Sequence, residues 1–137
     1  MKLIVNTNRV IAALVRDSLS RKILFHSDAE FLGIRFSDAE VGRHKAIILE
    51  KAGINEEEFD RLLVKINSQI VFLDDELVLL HMEEATKIMS AIDPDDVSFI
   101  AAALATGSDI WSDDAHFSRQ KKIKVWKTSD LVKLFGY

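Results

Sequence analysis

Short apolar runs rich in branched residues alternate along the chain with longer stretches whose apolar positions return every third or fourth residue. Lys2–Val5 is the first such run and reads as a buried strand. From Thr7, the residues Val10, Ile11, Leu14 and Val15 recur at helical spacing, and a second short helix is expected over Ser20–His26. Phe31–Phe36 is the next strand, with poor alternation and a glycine at position 33. Ser37 opens a helix through Glu50 that stops near Gly53. Asn55 caps another, with Glu56, Glu57 and Glu58 in its first turn, where the helix dipole favours negative charge. Ile70–Leu73 reads as a third strand. Glu76–Ser90 reads as a helix with Leu79, Leu80, Ala85 and Ile88 on its inner side. Asp93-Pro94 starts a helix whose small residues Ala101, Ala102, Ala103 and Ala105 permit close packing, and Gly107 ends it. Asp109–Ser112 and Lys124–Lys127 add two strands, and Ser129–Phe135 a last short helix.

Strands alternating with helices throughout predict a three-layer α/β sandwich, a mostly parallel five-stranded sheet covered on both faces. With 137 residues and no repeat, low-complexity segment or linker, the expectation is a single domain over 1–137. Composition narrows the chemistry. There is no cysteine, so disulfides, thiolate catalysis and cysteine-type zinc sites are excluded. No apolar run is long enough to span a bilayer, and the chain enters a strand at once, so no membrane association and a cytoplasmic location are expected. The net charge of −4 argues against binding polyanions over the whole surface but leaves room for a local basic track.

In parallel sheets, ligands gather beyond the carboxyl ends of the strands. Asn6 follows the first strand, Glu40 opens the helix after the second, and Asp93, Asp95 and Asp96 open the helix that feeds the fourth. Asp113 and Asp114 follow that fourth strand. Carboxylates converging without cationic partners repel one another, and a hard dication that takes oxygen ligands removes that penalty. Each residue also has a structural explanation. Ser37-Asp38-Ala39-Glu40 matches a capping box in which Glu40 returns to the amide of Ser37. Asp93-Pro94-Asp95-Asp96 is a good helix start, and Asp113 and Asp114 fit a solvated turn. The joint pattern distinguishes a pocket from a set of caps.

The segments Val5-Asn6-Thr7-Asn8, Ser37-Asp38-Ala39-Glu40-Val41, Asp93-Pro94-Asp95-Asp96-Val97-Ser98-Phe99 and Ile110-Trp111-Ser112-Asp113-Asp114-Ala115-His116-Phe117 resemble the PIN-domain family, over nearly the whole chain and in order. Prokaryotic single-domain members, including VapC-type toxins of toxin–antitoxin modules, look most similar. The resemblance implies a five-stranded parallel sheet and a divalent-metal (Mg²⁺ or Mn²⁺) ribonuclease that hydrolyses RNA phosphodiester bonds. It places the family's first aspartate at Asn6, its glutamate at Glu40 and its two later acids at Asp96 and Asp114, these four serving as metal and catalytic positions. Ser112 matches a hydroxyl position of the same pocket, and Asp93 and Asp113 are extra acids expected in a supporting shell. The toxin-like assignment implies an antitoxin laying an amphipathic segment into a groove, and a homodimer is also compatible.

Asn6 departs from the family pattern. An amide oxygen coordinates a cation but carries no formal charge, so weak metal binding and much reduced cleavage are expected of this chain. Arg9, Arg43, Lys45, Arg119, Lys121 and Lys122, with Lys124 and Lys127, form the expected phosphate-holding track. His116 reads as a helix-start residue beside Phe117, and Trp111 and Trp126 as core. The competing class is a non-catalytic module that keeps the fold and RNA or protein binding. A phosphorylation-controlled receiver domain fails because no acidic pair follows the first strand. An aspartyl-phosphate hydrolase lacks its nucleophile at position 6, and a dinucleotide-binding domain lacks its glycine-rich turn.

Overall fold

The computed structural model describes residues 1–16 and 18–137. Five strands, β1 (Lys2–Val5), β2 (Glu30–Gly33), β3 (Ile70–Phe72), β4 (Asp109–Trp111) and β5 (Val125–Trp126), form one sheet in the order β3-β2-β1-β4-β5. Every neighbouring pair is parallel. The strands are short and mostly buried, so side-chain alternation assigns each residue to one of two cores. Leu3, Val5, Phe31, Ile70 and Trp111 enter one core, while Ile4 and Ile110 enter the other.

The helices divide accordingly. On the first face lie α1 (Thr7–Val15), α2 (Ser18–His26), α3 (Arg35–Arg43), α4 (Lys45–Ala52), α5 (Glu56–Asn67) and α9 (Thr128–Phe135), which supply Leu14, Ile23, Val41, Ile48, Phe59 and Leu131. On the second lie α6 (Asp75–Leu79), α7 (Met82–Met89) and α8 (Val97–Thr106), which supply Val78, Met89 and Ile100. Among the described residues, no helix is long and apolar enough to cross a membrane. The chain moves outward from β1 through β2 to β3, then returns across the other face to β4 on the far side of β1. Because parallel crossovers are right-handed, reversing direction in the sheet requires changing face. The reversal opens a crevice between the carboxyl ends of β1 and β4, the place such sheets use for ligands.

Three expected elements differ in detail. The strand expected over Phe31–Phe36 ends at Gly33, because Ile34 turns the chain into α3 without a side-chain cap. A Cβ at Gly33 would lie 2.8 Å from Ile70 Cγ2, so the glycine there lets β2 and β3 pack closely. The single helix expected over Ser37–Glu50 is two, α3 and α4, meeting at His44. The backbone amide of His44 reaches both Glu40 O and Val41 O, which tightens the last turn and lets Val41 and Ile48 enter the same core. The helix expected over Glu76–Ser90 breaks at Leu80–His81 into α6 and α7. That break turns Leu79 and Leu80 outward, 65% and 78% exposed, against the expectation, while Val78 and Met89 take the buried positions and Ala85 stays inside as expected.

Candidate functional site

The loop from α7 to α8 begins the site. Asp93 caps a 3₁₀ turn over Pro94–Asp96, its Oδ1 accepting from the amide of Asp95 at 3.0 Å. Proline fixes the first position of that turn and needs no amide partner there. The turn runs straight into α8, and it sets Asp96 on the inner side, with only 8% of the residue exposed. Asp96 Oδ2 is shielded from solvent and has no hydrogen-bond partner among the described residues. Its pKa rises from the ordinary 3.8 to about 7. Burial is the main cause, followed by the charges of Asp93 and Asp114, with His116 offsetting part of the effect.

The second wall comes from the end of β4. Ser112 is fully buried and its Oγ accepts from the amide of Asp114 at 3.0 Å, which fixes the turn after the strand. Asp114 Oδ1 in turn accepts from the amide of His116 at 2.9 Å. His116, expected as a helix-start residue, does precede a 3₁₀ turn over Phe117–Arg119, and it also brings its ring nitrogen to the acids. Its Nδ1 stands 3.0 Å from Asp93 Oδ2, 3.4 Å from Asp114 Oδ1 and 3.9 Å from Asp96 Oδ2. Despite these distances, its alignment gives Nδ1 no hydrogen-bond partner among the described residues. One donor atom each from Asp93, Asp96 and His116 lies within 4.8 Å of the others, a spacing a metal ion can span.

The remaining candidates lie after β1 and in α3, and Glu40 is outside the metal-spaced group of Asp93, Asp96 and His116. Asn6 is 4% exposed; its amide donates to Trp111 O at 3.1 Å, continuing the β1–β4 pairing, and its Oδ1 accepts from the amide of Asn8 at 3.3 Å. Asn6 therefore caps α1 beside Ser112. Glu40 sits in the body of α3, not its first turn, and is not the acceptor of a capping box with Ser37. The helix starts at Arg35, so Ser37 is already inside it, and Glu40 Oε1 lies 2.8 Å from Thr7 Oγ1. Thr7 Oγ1 is also 2.9 Å from Ser37 Oγ. A hydroxyl has one proton to give, so Thr7 donates to the carboxylate and Ser37 supplies the other bond. Sequence reasoning missed Thr7; the available signal was a hydroxyl directly after Asn6, at the strand-to-helix turn.

Asp113 points elsewhere. Its Oδ2 pairs with Arg9 NH1 at 2.8 Å and accepts from Thr128 Oγ1 at 2.8 Å, while its Oδ1 accepts from the amide of Thr128 at 2.7 Å. Arg9 also donates to Thr128 Oγ1 and Ser20 Oγ, and Trp111 Nε1 donates to the same threonine hydroxyl. These contacts tie α1, β4 and α9 together on the first face. Of the remaining expected basic track, Arg43 lies over the Phe36 ring, and Lys45 lies near Asp60 and Glu56 with its ammonium over Phe59. Arg119, Lys121 and Lys122 are exposed just after His116, and Lys121, Lys122 and Lys124 border a shallow groove. Lys124 also stacks on Trp126, 4.1 Å from the ring centroid, so this half-buried tryptophan is a sheet-edge residue, unlike fully buried Trp111.

The chain matches the family model of the PIN domain over residues 4–134. No curated protein is significantly similar to it in sequence. Among solved structures, it is similar to a chain in the crystal structure of VapBC2 from Rickettsia felis bound to a DNA fragment from their promoter. The TM-score is 0.70 at 16% identity, covering 93% of this chain and 98% of that one.

Proposed function

The chain belongs to the PIN-domain family, a family of nucleases, and from that premise we propose that it is a divalent-metal-dependent endoribonuclease of the toxin type, weakened by Asn6. The observation that carries this reading is the buried Asp96 carboxylate, held beside Asp93 and Asp114 with its Oδ2 left without a hydrogen-bond partner among the described residues. Such a group is costly unless a cation occupies the space in front of it. Oxygen donors and an open side toward solvent suit Mg²⁺ or Mn²⁺.

In this reading Asp96 and Asp114 hold the ion, with Glu40 and Asn6 completing the set from the β1 side. A dication held there would supply Lewis-acid chemistry, activating a bound water and countering phosphate charge. Ser112 sets the turn that aims Asp114, and Thr7 steadies Glu40. Arg119, Lys121 and Lys122 are exposed and would supply the charges that hold RNA phosphates, while Arg9 braces the fold through Asp113. The cytoplasm is the compartment where such an enzyme meets RNA. An antitoxin or a second copy would find an apolar groove lined by Phe36, Val78, Leu79 and Met82.

Asn6 lowers the negative charge of the set by one. At an effective dielectric near 20, a unit charge about 4 Å from a dication is worth on the order of several kcal/mol before desolvation is subtracted. A remainder of about 1.4 kcal/mol is tenfold in rate or affinity. Asn6→Asp should therefore raise Mn²⁺-dependent RNA cleavage at least about tenfold in matched metal titrations. Equal turnover by the two chains refutes the assignment of position 6. If both are inert and neither binds metal, the chain is a non-catalytic binding module.

A further inference from the structure

The four positions matched to the family include no imidazole, yet His116 faces the acids more closely than a turn residue requires. Its Nδ1 lies at 3.0, 3.4 and 3.9 Å from oxygens of Asp93, Asp114 and Asp96. Donors bound at about 2.1 Å stand roughly 3.0 Å apart when adjacent in an octahedron, roughly 3.4 Å apart in a tetrahedron and roughly 4.2 Å apart when opposed. The observed separations lie within that range. Two atoms facing this space, Asp96 Oδ2 and His116 Nδ1, are shielded from solvent without a hydrogen-bond partner among the described residues, and Asp96 is more than nine-tenths buried.

The surrounding bonds leave the right atoms available. Asp93 uses Oδ1 for its own turn and keeps Oδ2 toward the ring. Asp114 fixes the backbone of His116, so the imidazole needs little rearrangement to bind. The His116 side chain remains 46% exposed, which lets solvent or substrate fill the other coordination positions.

We infer that His116 is a metal ligand, binding through Nδ1 together with carboxylate oxygens of Asp93 and Asp96. This rests on the metal-site reading above and sharpens it. Imidazole suits transition-metal dications, whereas Mg²⁺ keeps oxygen ligands and waters. The site therefore prefers Mn²⁺ or Co²⁺ to Mg²⁺, and nitrogen ligation compensates in part for the charge missing at position 6. The competing account is a protonated imidazole that serves as a counter-ion and never touches the metal.

Electron spin-echo modulation on the Mn²⁺-loaded chain separates the two. A directly bound imidazole gives ¹⁴N modulation that changes when histidine is supplied as ¹⁵N. His116→Ala abolishes it, while His44→Ala leaves it in place. Calorimetry should show His116→Ala weakening Mn²⁺ at least about tenfold while Mg²⁺ changes by less than about threefold. Bound Mn²⁺ without nitrogen modulation overturns the His116 assignment and leaves the metal site standing. Failure of the native chain to bind Mn²⁺ or Co²⁺ at millimolar concentration overturns both. Should His116→Ala not fold, the isotope comparison on the unaltered chain still decides.

Discussion

Replacing Asp96 by asparagine removes an unfavourable buried charge while keeping the side chain's shape. In the unfolded chain this carboxyl ionises at its ordinary value of 3.8; in the folded chain it ionises at about 7. A folded pKa above the unfolded one means that the stability of the metal-free fold is complete below pH 3.8. It is then lost progressively up to about pH 7. The gap of roughly three pH units corresponds to about 4 kcal/mol at full ionisation, because each unit is worth about 1.36 kcal/mol. The substitution also costs little, since Oδ2 has no hydrogen-bond partner among the described residues. Asp96→Asn should therefore raise urea-unfolding stability in chelator by about 2–4 kcal/mol at pH 8, and by less than about 1 kcal/mol at pH 4. Adding Mn²⁺ at pH 8 should reverse the order, stabilising the parent and leaving the variant nearly unmoved. A variant less stable than its parent at pH 8 in chelator, or a gain equal at the two pH values, refutes the account of Asp96 as a strained metal-facing carboxylate.

Other substitutions test the surroundings. Asp113→Ala removes the carboxylate that Arg9 and Thr128 share and should lower unfolding free energy by about 1–3 kcal/mol, with metal affinity reduced far less than by changes at Asp96 or Asp114. Changing Lys121 and Lys122 to glutamine should make the logarithm of RNA affinity less steep against the logarithm of salt concentration, by about one to two units of slope; an unaltered slope removes them from the track. Thr7→Val leaves Glu40 without its hydroxyl partner, and should weaken cleavage several-fold with a loss of stability of about 1 kcal/mol, seen by activity assay and urea melt.

The layers and the parallel sheet were legible because β1 and α8 carry strong local signals, a branched apolar run and a proline-opened stretch of alanines. Asp93, Asp96 and Asp114 were legible for a related reason: helix starts and strand ends are local features, and a parallel sheet gathers them on one edge. Helix breaks were not. Apolar periodicity passes through His44 and Leu80 without interruption, and only packing against the sheet decides that the chain must bend there. The same limit misplaced Glu40 in the helix's first turn, because Ser37-x-x-Glu40 spells a capping box wherever the helix starts, and the real start at Arg35 has no side-chain signal. His116 was read as a turn residue since nothing in its neighbours in sequence reports Asp93, more than twenty positions earlier. The different directions of Asp113 and Asp114 follow from alternation beyond β4, which two identical letters in a row conceal.

Those two aspartates are separated by one peptide bond, yet one is a brace and the other faces the pocket. Their identities are interchangeable on paper and opposed in space, so a slip of a single residue between Trp111 and Ala115 would swap the two duties at once. The stretch is thereby closed to insertions and deletions of odd length, whatever happens to the side chains themselves. Mechanical integrity and chemistry share one short piece of backbone here, and neither can drift without carrying the other along.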